Sequence, residues 1–318
     1  MTTHPLSPPV APSAPTSARR RRRLGPALLP YGLLAPATLV LVLVLGYPLV
    51  RLLLMSVQSY GLKQQFGAPA DFAGLDNFKR ILTDHQFWVV LARTIGFCAE
   101  TVILTMALGM LVALLIQRVG AVLRVLLLSS LLLVWAMPPL SSTVVWLWLF
   151  DTQYGLFNWA LTTVGAGDYV GHSWLSNPVS FFLVATLIVV WMGIPFVAFT
   201  LYAGLTQVPG DLLEAAQLDG ANARQRFLHV IVPVLKPILL ILTALSVLWN
   251  FRVFTQIYVL QSAGGITRDT NVLGIYAYRI SFGESRFDVG AAIAVVMVVI
   301  MLVLSLFYLR QMTKTEEL

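Results

Sequence analysis

The chain has 318 residues, 58% of them hydrophobic and 11% charged, with a mean hydropathy of +0.82. A water-soluble core of this size does not need so apolar a composition, so an ordinary soluble domain is excluded and a polytopic membrane protein is expected. The formal charge of +7 does not imply nucleic acid, because the cations are scattered between apolar runs, and the lone Cys98 excludes both a disulfide framework and a thiolate zinc cluster.

Residues 1–18 are rich in Pro, Ser, Thr and Ala and carry too few large apolar groups to offset the entropy of ordering, which predicts a disordered tail. The basic run Arg19 to Arg23 completes that tail and anchors the next segment to anionic membrane lipid. The apolar stretch at 31–55 is longer than a secretory core of roughly 7–15 residues and lacks a small-x-small cleavage site, so it reads as a retained transmembrane helix. Segments at 89–116, 125–149, 179–204, 237–261 and 288–310 each supply the roughly 20 apolar residues that cross some 30 Å of hydrocarbon. Barrel strands would be half as long and would alternate, so six spans predict an all-α bundle. The run at 156–164 is too short to cross and, with Trp159 and Trp174, reads as interfacial.

The expected organisation is a tail at 1–23, a first helix with an external loop at 24–88, a five-helix core at 89–310 containing a polar loop at 205–236, and a terminal tail at 311–318. Alternate loops differ in charge. The side shared by the N-terminus holds twelve cations and five acids, the opposite side six cations and eight acids. By the Lys/Arg bias both termini and the polar loop are cytoplasmic.

In the polar loop, Asp211 precedes Leu212 and Leu213 with Glu214 three residues on, a variant capping box that starts a short helix. Leu212, Ala215, Ala216 and Leu218 give that helix an apolar surface, and the alanines permit close approach. Gly220 allows a turn, Asn222 can cap a second helix carrying Arg224, Arg226, Phe227 and Val230, and Pro233 and Pro237 are expected to end it and open the fifth span. Taken alone, these residues leave open an amphipathic loop resting on the headgroups.

Glu214-Ala215-Ala216, three residues, Gly220, nine residues, then Val230-Ile231-Val232-Pro233 resembles the EAA loop of the membrane subunits of binding-protein-dependent ABC importers. That family usually has Ile and Leu where Val230 and Val232 stand, departures that keep the apolar character. Gly74-Leu75-Asp76-Asn77-Phe78, Trp148-Leu149-Phe150-Asp151, Tyr154-Gly155-Leu156-Phe157-Asn158 and Ala203-Gly204-Leu205 look like segments of the maltose/glycerol-phosphate permease branch, and Gly264-Gly265-Ile266 departs from its usual Gly-Gly-Pro. The resemblance runs from about Pro36 to Leu309. It implies a type I importer fold and a coupling helix that docks on an ATP-binding subunit, with Glu214, Ala215, Ala216, Asp219 and Gly220 forming the contact. It also implies a second homologous permease, two ATP-binding subunits that carry ATP and Mg, and an extracytoplasmic sugar-binding protein.

Catalysis by this chain is not expected. A phosphate cradle of the form G-x-x-x-x-G-K-[ST] is absent, there is no Gly-Lys pair, and neither H-E-x-x-H nor G-x-S-x-G occurs. His4, His85, His172 and His229 are too dispersed for a metal or base constellation.

Arg252 falls near the middle of the fifth span, where an arginine costs about 2.5–3.5 kcal/mol and must face protein or water. Glu100 in the second span is a candidate ion partner. A structural pair, an interface with a second permease and a role in substrate binding all remain open. Sugars need amides or hydroxyls beside aromatics, and Trp249-Asn250-Phe251 offers that pairing. The resemblance places a mid-membrane substrate site on the third to fifth spans, which supply Trp135, Gly193, Phe196, Ser246, Trp249 and Asn250, beside Arg252. Pro138-Pro139 and Gly193-Ile194-Pro195 interrupt helices there, shaping a cavity or kinking a span. The function implied is import of di- or oligosaccharides. Import of glycerol phosphate or another polyol derivative is the alternative cargo, and a stand-alone secondary transporter is the rival class. The latter predicts several intramembrane carboxylates where this chain has Glu100 alone.

Overall fold

The first apolar stretch forms α1 (Gly25–Leu41), which passes through a π-helical segment, Val42–Gly46, into α2 (Tyr47–Ser56). The computed structural model describes residues 25–316, so the tail expected at 1–18 and the Arg19 to Arg23 run lie outside the described residues. By its internal contacts the chain divides into two units, residues 1–50 and 51–318.

The second unit begins with a small polar cap on the helices. Two-residue strands β1 (Gln58–Ser59) and β2 (Asp71–Phe72) pair antiparallel around α3 (Leu62–Gln65), and α4 (Asp76–Thr83) follows. Asn77, buried on α4, donates to the carbonyls of Ser56 (3.0 Å) and Gln58 (2.9 Å), satisfying backbone groups where the first helix ends.

Asp84 caps α5 (His85–Arg118) by accepting from the Gln86 N–H at 2.9 Å. After it come α6 (Ala121–Ala136), α7 (Pro139–Leu149), the short α8 (Leu156–Thr163) and α9 (Pro178–Leu205), whose N-cap Asn177 accepts from Val179 N–H at 2.8 Å. The polar loop holds α10 (Gly210–Leu218) and α11 (Ala223–Arg226). A π-helical segment, Phe227–Ile231, leads into α12 (Val232–Phe251), and α13 (Thr255–Ser262), α14 (Thr267–Thr270) and α15 (Leu273–Tyr278) follow. A last π-helical segment, Arg279–Gly283, precedes α16 (Phe287–Glu316).

The pair α5 and α9 makes the most extensive helix contact. Lipid tails are as apolar as leucine, so helices in a bilayer associate through close packing, and small residues at the seam permit it. Gly193 does so here: a Cβ at this position would stand 2.8 Å from Thr105 Cγ2. Ala113, Val197, Leu201, Leu205, Leu235 and Leu242 extend the buried core from this seam to α12.

Three expectations need correction. The segment at 125–149 is not one straight span, because α6 and α7 meet at 104°. Five helices are long and apolar enough to cross a membrane, and the bent pair makes six if counted as one. Proline at 138 and 139 explains the bend, since Pro139 has no N–H to continue the ladder and Pro138 pushes Met137 out of the helical region (ψ 130°). Second, Pro233 and Pro237 do not separate the polar loop from the fifth span. The π-helical segment joins α11 to α12 without a gap, the Val232 N–H bonding Phe227 O, so Pro233 and Pro237 lie inside a continuous helix, and the π-helical turn directly before Pro233 marks where the regular ladder is interrupted. Third, the span expected at 237–261 falls within one candidate span, Ala223–Ser262, but it is not unbroken helix, since Arg252–Phe254 separate α12 from α13.

Candidate functional site

The polar loop is a rigid two-helix unit. Pro209, not Asp211, is the N-cap of α10, and no side chain caps it; Asp211 lies in the first turn, where its charge complements the helix dipole. At the other end Gly220 adopts φ +82°, the Gly220 N–H bonds Gln217 O (3.1 Å) and the Ala221 N–H bonds Ala216 O (2.9 Å). This pair of bonds is a Schellman motif, which closes the helix and needs a residue free to enter the left-handed region. Asn222 then forms a full capping box: its Oδ1 accepts from Gln225 N–H at 2.9 Å and Gln225 Oε1 accepts from Asn222 N–H at 2.8 Å. Arg226 Nη1 donates to Gln217 Oε1 at 3.0 Å and ties the two helices together.

This bracing sorts the candidate coupling residues. Asp211, Glu214, Ala215 and Leu218, at helical spacing on one face, are exposed, Leu218 at 89%. Asp219 and Gly220 are exposed at the turn, while Ala216 is half-buried and, with Gly220, Arg226 and His229, lines a cleft of about 260 Å³ within the loop. Ala215 and Ala216 thus point to different surroundings, which their adjacency in the EAA triplet conceals.

The mid-span candidates gather around two interrupted helices. α7 packs on α13, so the break at Met137–Pro138 and the break at Arg252–Phe254 belong to neighbouring elements. Met192 links them: its sulfur accepts from Ser142 Oγ on α7 (3.1 Å) and lies 3.7 Å from Gln256 Nε2 on α13. Phe196 and Trp249 meet edge to face, 5.0 Å between ring centroids. Ser246 is buried, Asn250 is half-buried in the last turn of α12, and Trp249 is 43% exposed. Trp135, at the end of α6, is exposed and makes no ring contact among the described residues. Gly193 faces Thr105 at the α5–α9 seam.

Arg252 is not inside a helix; it is the exposed C-cap of α12, and with Leu245, Trp249, Val298 and Met301 it lines a cleft of about 420 Å³ beside α16. It forms no ion pair with Glu100. Glu100 accepts from Thr186 Oγ1 (3.2 Å) and lines a separate cleft of about 870 Å³ with Arg93, Phe182 and Asp269. Residue order along two spans could not show that these side chains leave on different faces. Arg93, which the sequence reading left without a role, donates from Nη1 to the carbonyls of Asn271 (3.1 Å) and Arg268 (3.4 Å), fastening α5 to the loop around α14. Among the described residues, no group of His, Cys, Asp and Glu side chains could hold a metal ion.

The family model for the "binding-protein-dependent transport system inner membrane component" matches residues 105–314. The chain belongs to this family. Its relatives among inner membrane components include the diacetylchitobiose uptake system permease protein DasB of Streptomyces coelicolor, 43% identical over 95% of this chain and 92% of the relative. Another is the trehalose/maltose transport system permease protein MalF of Thermococcus litoralis, 34% identical over 75% of this chain and 79% of the relative. The fold of this inner membrane component is also that of a chain in the crystal structure of a bacterial ABC transporter involved in the import of the acidic polysaccharide alginate. That match has a TM-score of 0.76, covers 90% of this chain and 95% of the other, and stands at 20% identity.

Proposed function

We propose that this chain is a permease subunit of an ATP-driven importer for di- or oligosaccharides, and that it forms half of a pathway completed by a second homologous permease. The observation that carries the reading is the 43% identity, over 95% of the chain, to a permease of a diacetylchitobiose uptake system; the trehalose/maltose relative points to the same cargo class.

In this reading α10 is the mechanical input. Its exposed face of Asp211, Glu214, Ala215 and Leu218 is braced from behind by the Gly220 turn and the Asn222 box, and an 89% exposed leucine on a rigid helix suits burial against a protein. Each of two ATP-binding subunits, which carry ATP and Mg, grips one permease through such a loop. A sugar-binding protein loads the outer face, and the charge bias supports cytoplasmic termini. Closure of the ATP-binding subunits pulls on α10, and the continuous helix from Ala223 through α12 transmits the motion to the interrupted span.

There the pathway is lined by Trp249, Phe196, Asn250 and Ser246, with Trp135 and Arg252 at its margins and Gly193 setting the helix spacing. Aromatic rings beside an amide and a hydroxyl match the apolar faces and hydroxyl edges of a sugar. A glycerol phosphate or another anionic polyol derivative is the second reading, favoured by the exposed guanidinium of Arg252.

The test is ATPase and uptake by the reconstituted complex with its binding protein loaded with diacetylchitobiose, maltose or glycerol phosphate. Stimulation by a sugar supports the main reading, and stimulation by glycerol phosphate alone replaces it with the second. Unchanged coupling after Glu214→Lys removes α10 from the mechanism. Uptake by this chain alone, in vesicles lacking ATP, makes it a secondary transporter.

A further inference from the structure

The turn that follows α7 is fixed by its own backbone. Asp151 Oδ1 accepts from the N–H groups of Gln153 (2.9 Å) and Tyr154 (2.8 Å), and Gly155 packs so closely that a Cβ there would strike Asp151 O and Leu149 O. Buried Asn158 ties this turn to the loop before α9, donating to Thr152 O (3.2 Å) and His172 O (2.9 Å) and accepting from Trp174 Nε1 (2.6 Å). Between the two loops and the end of α13 lies a cavity of about 200 Å³, with Trp148, Asp151, Thr152, Ser173, Trp174 and Ala263 in its wall.

The polar groups of this wall are left free by the protein. Among the described residues, Asp151 Oδ2 and the hydroxyls of Thr152 and Ser173 have no hydrogen-bond partner. Trp148 is 64% exposed and makes no ring contact among the described residues. A carboxylate oxygen and two hydroxyls beside an open indole face match a pyranose, which presents a hydroxyl edge and a C–H face. A lipid tail would instead desolvate the carboxylate and give it no hydrogen bond in return. The volume lies below the roughly 300–1,000 Å³ of drug-sized pockets, so it suits one ring and not a whole chain.

The cavity stands at the end of the bundle away from the coupling loop. α9 starts just beyond Ser173 and Trp174 and runs for 28 residues, about 42 Å of helix, before α10 begins. On the other side, Ala263 is the C-cap of α13, whose first turn follows the Arg252–Phe254 break beside the pathway candidates. We propose that this cavity is an entry subsite for one neutral pyranose unit of the cargo, stacked on Trp148 and hydrogen-bonded to Asp151, Thr152 and Ser173. The proposal rests on the sugar-importer reading and adds to it a selection step outside the residues assigned to the pathway. The Asp151 carboxylate would repel a phosphate or a uronate held at the same place, so the subsite discriminates against anionic cargo. Its fixed turn means that little entropy is lost when a sugar binds.

The experiment uses the complete importer in lipid nanodiscs, without its binding protein, and reads saturation-transfer NMR from the protein to diacetylchitobiose or to glycerol phosphate. In wild type the pyranose protons receive saturation and glycerol phosphate does not. Trp148→Ala weakens the apparent affinity for the sugar about three- to tenfold, the loss expected of one aromatic contact, at an unchanged melting temperature. Trp148→Phe, which keeps a ring, restores most of it. Asp151→Asn keeps the acceptor for Gln153 and Tyr154 but removes the charge, so transfer to glycerol phosphate appears; continued exclusion overturns the selection by charge. A sugar affinity equal in wild type and Trp148→Ala, or absent from both, overturns the subsite while leaving the importer reading intact. Weaker capture of the empty binding protein by Trp148→Ala, at unchanged sugar affinity, also overturns it and assigns the cavity to protein docking. If the wild-type complex with loaded binding protein imports no sugar, the importer reading falls and the entry subsite falls with it.

Discussion

The hydroxyl of Tyr276 donates to Asp84 Oδ2 at 2.8 Å, while Asp84 Oδ1 accepts from the Gln86 N–H at 2.9 Å. One carboxylate thus caps α5 and holds α15 against it, across 192 residues of sequence. Burial, and then the bond to Asp84, push the Tyr276 hydroxyl above the ordinary tyrosine range.

Tyr276→Phe is expected to destabilise the bundle by about 1–2 kcal/mol, since a bond to a charged acceptor is lost. The raised pKa gives the pH sign. The contribution of Tyr276 is complete below the unfolded tyrosine value of about 10 and is lost as pH rises beyond it. Melting temperatures in detergent should therefore differ by a constant amount at neutral pH and converge in strong alkali. A gap that widens in alkali would show that another group governs this contact.

Gly193→Ala places a Cβ 2.8 Å from Thr105 Cγ2, and Thr105 is 2% exposed, so the methyl must shift within a buried seam. A loss of about 1–3 kcal/mol is expected from overpacking, relieved in part by Thr105→Ser, which removes the clashing methyl. Thermal unfolding of the four corners of that cycle checks it. Wild-type stability in Gly193→Ala combined with lost sugar uptake would move Gly193 from the seam to the pathway.

Asn158, 5% exposed, donates to His172 O (2.9 Å) and Thr152 O (3.2 Å) and accepts from Trp174 Nε1 (2.6 Å). Asn158→Ala leaves these groups unpaired and is expected to cost about 2 kcal/mol locally. Hydrogen exchange should rise across residues 151–174 and stay unchanged in α5. Backbone N–H groups of Tyr154 and Gln153 hold the Asp151 carboxyl below its usual range, so the turn it stabilises is intact above the unfolded value of about 3.9 and loosens as pH falls through the depressed one.

Leu218→Asp should separate docking from folding in the coupling loop. At 89% exposure the side chain adds little to the bundle, so the melting temperature should be unchanged. Pull-down of the ATP-binding subunits should weaken about tenfold or more, as for an apolar anchor replaced by a charge at a buried interface. Retained binding would mean that another surface carries the contact. Asn222→Ala, by contrast, loses a capping box and should lower loop stability by about 1 kcal/mol.

Residues that act on their immediate neighbours were legible in the sequence. Gly220 at the turn, Asn222 as a cap and the long apolar runs follow from backbone freedom, hydrogen-bond accounting and hydropathy, each decided within a few residues. Even locally, competition misled: Asp211 has capping chemistry, yet Pro209 already supplies the extended residue before the helix. Pro233 looked like a terminator, but it follows a π-helical segment, and the helix runs on past its missing N–H.

By itself the sequence determined that this chain crosses a membrane as helices, carries a capped polar loop and belongs with importer permeases. Only the tertiary structure decided that α6 and α7 meet at 104°, that Gly193 faces Thr105, that Arg252 and Glu100 line different clefts, and that Phe254, Tyr258 and Tyr278 pack into one ring cluster. The reason is that a span apolar on every side has no hydrophobic face to orient it. Which side meets a neighbour is then set by packing volume and close approach between helices, and those exist only once the helices have met.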